Sequence, residues 1–241
     1  MKTYSKTDKG PVRDTNQDAV VTGKLSDGAV YAAVCDGMGG ANAGNIASET
    51  AARGISEYLR NSYRSEMDLG DVEKLLSNAI VSANIEVYDL SLKRQDLKGM
   101  GTTVVAILAR DDGAVIAHVG DSRAYKIADD ITRLTRDHSV VQNLIESGEI
   151  TVDDAKTHPK KNVITRALGV EENIIVDSLL VPPEENDVFM LCTDGLTGYA
   201  EESEILNVFK ETKPSKVPQA LIDLAVKGGG GDNITVITVL R

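Results

Sequence analysis

Thr102-Thr-Val-Val-Ala-Ile-Leu-Ala-Arg-Asp-Asp-Gly-Ala-Val-Ile-Ala-His-Val119 contains two apolar, β-prone runs parted by Asp111-Asp112-Gly113. A link that short turns the chain back as a hairpin, because parallel neighbours need a crossover of about a dozen residues or more. Gly120-Asp121-Ser122 is equally short and leads into another β-prone run, Arg123 to Ile127, so it too reads as a hairpin. Outward from here, similar runs occur at Ala19 to Thr22, Ala29 to Cys35, Ile174 to Val181, Val188 to Cys192 and Ile234 to Leu240. The total is about eight strands. Helical patterns lie between them in adjacent pairs. Ala43 to Leu59 is followed by Val72, Leu75, Leu76, Ala79, Ile80, Ala83 and Val87, whose three- and four-residue steps draw one apolar stripe. Further helices are expected at Ser139 to Ser147, at Glu201 to Lys210, and at Lys216 to Lys227 before the Gly228 to Gly231 run. Hairpin-linked strands beside paired helices predict an α+β fold of antiparallel sheets packed against helices, not a doubly wound parallel sheet.

The chain has 241 residues, 41% hydrophobic and 26% charged, which supplies a core and gives no compositional case for disorder. No repeat and no linker divides it, so residues 1–241 are expected to form one domain. The longest apolar run, Ala29 to Cys35, is far below the roughly 18 residues needed to cross a bilayer. Met1 to Asp8 lacks the apolar stretch of a signal peptide. These features exclude a membrane role and predict a cytoplasmic protein. The net charge is −11, which argues against nucleic acid as a partner, since that affinity comes from cation excess. Cys35 and Cys192 sit in apolar runs without CxxC or Cys/His spacing, and are expected to be buried thiols in a reducing compartment. His118, His138 and His158 look too scattered to form a ligand set.

Asp36, Asp121, Asp194 and Asp232 each stand at the edge of a β-prone run beside glycine: Val-Cys-Asp36-Gly, Val-Gly-Asp121-Ser, Cys-Thr-Asp194-Gly and Gly-Gly-Asp232-Asn. Any one of these pairs alone reads as an ordinary turn. Four in such frames point to carboxylates converging at strand ends, where mutual repulsion calls for cations. Oxygen ligands of this kind select Mg²⁺, Mn²⁺ or Ca²⁺ over zinc or copper. Gly39 to Gly44 has the glycine spacing of a phosphate loop, but Asn45 and Ile46 stand where Lys and Ser or Thr are required, leaving a glycine-rich helix entry. Arg13-Asp-Thr-Asn-Gln-Asp18 adds a guanidinium able to grip a phosphoryl group and another carboxylate.

In order, Arg13-x-x-Asn16-Gln17-Asp18, Asp36-Gly-Met-Gly-Gly40, Gly101-Thr-Thr103, Val119-Gly-Asp-Ser-Arg123, Thr193-Asp-Gly-Leu196 and Gly231-Asp-Asn-Ile-Thr-Val236 resemble the metal-dependent Ser/Thr protein phosphatases of the PPM (type 2C) family, in its bacterial single-domain form. The resemblance spans residues 13 to 236. It implies a four-layer αββα sandwich with a centre for two Mn²⁺ or Mg²⁺ ions at one end. Asp36 then bridges the ions, Asp194 and Asp232 complete one shell, the Gly37 carbonyl binds the other ion, and Asp18 holds metal-bound waters. A third, weaker ion falls to Asp121 with Asp194 contributing. Arg13 binds the substrate phosphate, and a water bridging the ions attacks phosphorus without a covalent phosphoenzyme. Phosphoserine and phosphothreonine proteins are the implied substrates and a cognate Ser/Thr kinase the implied partner; a monomer is expected.

Met38 stands where animal relatives carry a proposed histidine general acid, and Ala41 where many bacterial relatives have another histidine, so the proton donor is unassigned. About 140–170 corresponds to the relatives' flap. Within it, Lys156-Thr-His158-Pro-Lys-Lys161 is a locally basic stretch, expected either to help dock phosphoprotein substrates or to be a solvated loop. Two other readings share these residues: a metal-dependent phosphoesterase acting on a small molecule, and a catalytically weak phosphoprotein-binding module.

Overall fold

Within the strand Val30–Met38, Val30, Ala32 and Val34 point to one side and Tyr31, Ala33 and Cys35 to the other, and both sets are buried. A strand covered on both faces belongs inside a layered structure, which is why the run reads as continuously apolar. The computed structural model describes residues 1–40, 43–184 and 188–241. In chain order the elements are β1 (Lys2–Asp8), β2 (Asp18–Lys24), β3 (Val30–Met38), α1 (Ala43–Ser62), α2 (Leu69–Lys93), β4 (Gly101–Thr102), β5 (Val104–Arg110), β6 (Gly113–Val119), β7 (Arg123–Ile127), β8 (Ile131–Arg133), α3 (Val140–Glu146), α4 (Val152–Thr157), β9 (Asp177–Val181), β10 (Val188–Cys192), α5 (Asp194–Thr197), α6 (Glu202–Glu211), α7 (Val217–Lys227) and β11 (Ile234–Leu240).

The strands form two antiparallel sheets, ordered β1-β11-β10-β7-β8 and β2-β3-β5-β6-β9, with β4 beside β3. One apolar cluster, including Val34, Ile107, Ile116, Leu191 and Ile237, fills the space between the sheets. A second joins the β3 sheet to α1 and α2, and a third joins the β11 sheet to α5, α6 and α7. These are the four layers of the expected αββα sandwich. The stripe Val72, Leu75, Leu76, Ala79, Ile80, Ala83 and Val87 is the buried face of α2, whose first turn is capped by Asp68 accepting from the Asp71 N–H. No helix among the described residues is long and apolar enough to cross a membrane.

Asp111-Asp112-Gly113 does turn β5 into β6 as a hairpin, but Gly120-Asp121-Ser122 does not join neighbours. β6 lies in one sheet and β7 in the other, so this link steps across the sandwich and delivers Asp121 between the layers. Gly120 makes the step with φ +108°, a conformation that L side chains rarely adopt, and Thr103 packs where a Cβ would stand. β1, β8, α4 and α5 lie outside the sequence expectations. β1 (KTYSKTD) is polar and is held by its register with β11, Lys2 opposite Leu240 to Asp8 opposite Ile234. The run expected from Ile174 pairs only from Asp177; Ile174 and Val176 pack instead on the helix-side cluster. The helix entry at Gly39 to Gly44 includes Ala41 and Asn42, which lie outside the described residues; α1 begins at Ala43.

Candidate metal centre

β2 and β3 pair so that Asp18 stands directly opposite Asp36, two like charges on one face of a sheet edge. That arrangement is unfavourable without a counter-charge. From the other sheet, β10 ends at Cys192 and α5 begins at Asp194, while Asp232 lies two residues before β11. Gly195 lets the two meet: a Cβ there would lie 1.9 Å from the Asn233 carbonyl oxygen, so only glycine allows α5 this close to the start of β11. Asp121 arrives on the crossing link. Thus Asp18, Asp36, Asp121, Asp194 and Asp232 gather at one rim, with charges from both sheets.

Their electrostatics carry the same message. Burial pushes Asp18 and Asp121 from the ordinary carboxylate value up to about 7, the charge of Asp194 adding to the effect at both. Asp36 is raised well above its ordinary value by burial and then by Asp18, Asp194, Asp121 and Asp232. Asp194 is raised by burial and by Asp232. Asp18 Oδ1 and Asp194 Oδ1 are buried without a hydrogen-bond partner. Crowded carboxylates with bare oxygen atoms suit hard divalent cations that take oxygen ligands. The residues present therefore fit Mn²⁺ or Mg²⁺.

Hydroxyl groups that the motifs contain, but to which the sequence assigned no role, hold these carboxylates in place. Asp18 Oδ2 accepts from Thr193 Oγ1 at 3.0 Å and Thr235 Oγ1 at 2.6 Å. Thr103 Oγ1 accepts from the Asp36 N–H at 3.1 Å and bonds Ser122 Oγ at 2.7 Å, tying the end of β3 to the Asp121 link. Asn233 Oδ1 accepts from the Gln17 N–H, and its Nδ2 donates to the Lys9 and Thr15 carbonyls, fixing the loop that carries Arg13. Short polar residues beside aspartates, within strands otherwise apolar, were the available signal.

Arg13 Nη2 donates to Asp232 Oδ2 at 2.8 Å and its Nε to the Gly231 carbonyl at 3.2 Å. The guanidinium is half-exposed at the rim. The Gly37 N–H donates to the Gln17 carbonyl at 3.1 Å, and a Cβ on Gly37 would lie 2.1 Å from the Gly44 oxygen. His158 caps the C-terminus of α4, where its Nδ1 accepts from the Lys160 N–H, and it does not line the cleft beside the carboxylates. Lys156 and Lys161 do line that cleft. Cys35 and Cys192 are free and buried, as expected, and burial raises both thiols.

The histidines are less scattered than they looked. His118 and His138 stack with ring centroids 4.8 Å apart, and their donor atoms and those of Asp177 lie within 4.8 Å of one another, a second grouping of metal-ligand type. His138 Nδ1 accepts from the Gly120 N–H at 3.1 Å, so the neutral ring keeps its proton on Nε2, facing Asp177 Oδ2 at 3.2 Å. Arg166 Nη1 lies 2.7 Å from Asp177 Oδ1 and 3.3 Å from His138 Nε2, so a guanidinium already supplies the positive charge there.

A protein-family model described as protein phosphatase 2C matches residues 12–220. The serine/threonine phosphatase stp of Listeria innocua is 40% identical over 243 residues, covering 100% of this chain and 96% of that protein. The structure of the S. agalactiae serine/threonine phosphatase superposes with a TM-score of 0.92 at 34% identity, covering 98% of both chains. The catalytic domain of the phosphatase PstP, solved in complex with 2 manganese ions, superposes with a TM-score of 0.85 at 30% identity over 98% of this chain and 96% of that one.

Proposed function

The chain belongs to the protein phosphatase 2C family and is a metal-dependent serine/threonine protein phosphatase, and from that premise we propose how its own residues divide the work. Asp36, Asp194, Asp232 and the Gly37 carbonyl would hold two Mn²⁺ or Mg²⁺ ions, with Asp36 serving both, and Asp18 would orient water beside them. Asp121, with Asp194, offers a third and weaker position. When bound, the divalent ions neutralise phosphoryl oxygens and lower the pKa of the water that attacks phosphorus. Arg13 grips the phosphoryl group of a phosphoserine or phosphothreonine, leaving Asp232 to do so. The observation that carries this reading is the gathering of five aspartates from two sheets, with the buried, bare oxygens Asp18 Oδ1 and Asp194 Oδ1 among them.

Neither cysteine takes part, because a nucleophilic thiol needs a lowered pKa and both are raised. The enzyme acts on phosphoproteins. We read residues 1–241 as one catalytic unit, acting as a monomer in the cytoplasm opposite a cognate Ser/Thr kinase; the free, buried thiols support a reducing compartment. The flap, between β8 and β9, carries Lys156, His158, Lys160 and Lys161 and helps dock the substrate protein.

Release of phosphate from a phosphothreonine peptide tests the reading. Turnover with Mn²⁺ that chelator abolishes and Mn²⁺ restores is expected; turnover unaffected by chelator overturns it. For docking, Lys160→Ala with Lys161→Ala is expected to slow a phosphoprotein more than a short peptide, and equal effects on both defeat that role.

A further inference from the structure

Asp121, Asp194 and Asp232 form one end of a cleft of about 790 Å³ that continues away from them. Along it lie Val141 and Ile145 of α3 and Val152 and Ala155 of α4, and opposite them Thr197 to Ser203, from the end of α5 to the start of α6. A phosphoryl group needs only the carboxylate end. The volume falls within the roughly 300–1,000 Å³ of sites that enclose sizeable ligands, so most of it is left for whatever is attached to the phosphate.

The flap side of this cleft sets Val141, Ile145 and Val152, which belong to no core, among the polar Ser139, Gln142 and Asn162. α3 carries Val140, Val141, Leu144 and Ile145, and none is buried. Val152 is 64% exposed. None of these five packs into any of the three hydrophobic clusters. Helices of 7 and 6 residues gain little stability from propensity alone, and α3 and α4 rely on the caps Ser139 and Thr151 rather than on burying an apolar face. Half-covered apolar side chains such as Val141, Ile145 and Val152, set beside a cleft and outside any core, mark binding rather than folding. Its charges are mixed: Lys161 lines the flap side, Glu202 the facing wall, and Lys156 reaches Glu201 across the cleft at 3.1 Å, an exposed pair that a ligand displaces at little cost.

We propose that this cleft reads the substrate polypeptide beside its phosphorylated residue, receiving an apolar side chain against Val141, Ile145 and Val152. The inference rests on the phosphatase reading above, which places the phosphoryl group at the carboxylate end. The occupant is the substrate's own flanking chain because the cleft is continuous with that end.

The test is a set of phosphothreonine peptides identical except for Leu, Ala or Asp placed in turn at neighbouring positions on either side, assayed with Mn²⁺ beside an aryl phosphate. At one or more positions Leu should exceed Ala in kcat/KM by about tenfold, the low end for an apolar side chain entering a pocket. Ile145→Ser should shrink that ratio, and Val152→Ser, at a more exposed position, should do so independently of any effect of the first variant on folding. Equal kcat/KM across the set while the aryl phosphate is hydrolysed overturns the inference and leaves the phosphatase reading standing. Absence of Mn²⁺-dependent aryl phosphate hydrolysis overturns the phosphatase reading itself. A Leu preference that survives both variants puts the apolar contact elsewhere and overturns the assignment to the flap.

Discussion

Arg13 and Asp232 are hydrogen-bonded across 2.8 Å, so the group proposed to grip phosphate rests on a carboxylate proposed to hold metal. On the proposed reading, a cation at Asp232 would compete for the same oxygen and free the guanidinium to turn toward substrate. Arg13→Ala is expected to lower kcat/KM for a phosphopeptide by about a hundredfold, the scale of losing one charged donor to a phosphoryl oxygen. Arg13→Lys should recover little, because an ammonium cannot reproduce the planar fork. Steady-state kinetics on both variants check this.

Asp194→Asn is expected to abolish most turnover, by more than about a hundredfold, since even second-shell substitutions around a metal cost 10- to 100-fold. Stability should move the opposite way in chelator. Removing one charge from a crowded, buried set relieves repulsion, so the metal-free variant should melt about 2–4 °C above the metal-free wild type for each kcal/mol relieved. Thermal melts with and without Mn²⁺ decide it, and a metal-free variant less stable than wild type contradicts the account of crowding.

The raised aspartates also set a pH dependence. Asp18 and Asp121 ordinarily titrate at 3.8 and in the folded, metal-free protein at about 7, so between those values the folded state binds more protons than the unfolded one. Stability of the metal-free protein should therefore fall as pH rises from 3.8 to about 7. Mn²⁺ displaces those protons, so its stabilising effect should grow over the same range. Melting temperatures across pH, in chelator and in Mn²⁺, measure both slopes.

Thr103→Val keeps the shape and removes the hydroxyl that joins the Asp36 N–H to Ser122. Leaving those two buried groups unpaired should cost about 1–3 kcal/mol. Metal affinity should weaken about 10- to 100-fold, because Asp36 and Asp121 lose their common anchor. Denaturant unfolding and a Mn²⁺ titration of activity separate the two effects.

Met38 leaves the position of the relatives' proposed general acid without a histidine, and His118 and His138 lie in the Asp177 cluster, where burial lowers both imidazoles. Aryl phosphates need less protonation on departure than a seryl alkoxide, so they should lose less from this absence. Comparing pH–rate profiles for an aryl phosphate and a phosphoserine peptide tests it; a shared dependence on one titrating histidine contradicts it.

Much of this was legible in the chain itself. Strands buried on both faces, such as β3 and β5, announce themselves by apolar runs, and the α2 stripe by its period, because burial dictates both. β1 was not legible: its polar residues are held by β11, more than two hundred residues away in sequence. The Gly120 to Ser122 step misled because link length distinguishes a hairpin from a parallel crossover, not from passage into a second sheet. Each aspartate of the site was visible, yet Asp18 facing Asp36 and the threonines bonding Asp18 depend on register and on contacts between sheets, which local sequence does not encode. The pairing of His118 with His138 was hidden for the same reason.

Asp18 and Asp36 belong to one sheet, Asp194 and Asp232 flank strands of the other, and Asp121 rides the chain between them. An ion caught among them is therefore a rivet through two plates. Loading the site should stiffen the seam of the sandwich, slowing amide exchange in β3 and β11 together, and a molecule pulled apart mechanically should yield there last when the rivet is in place and sooner when it is drawn.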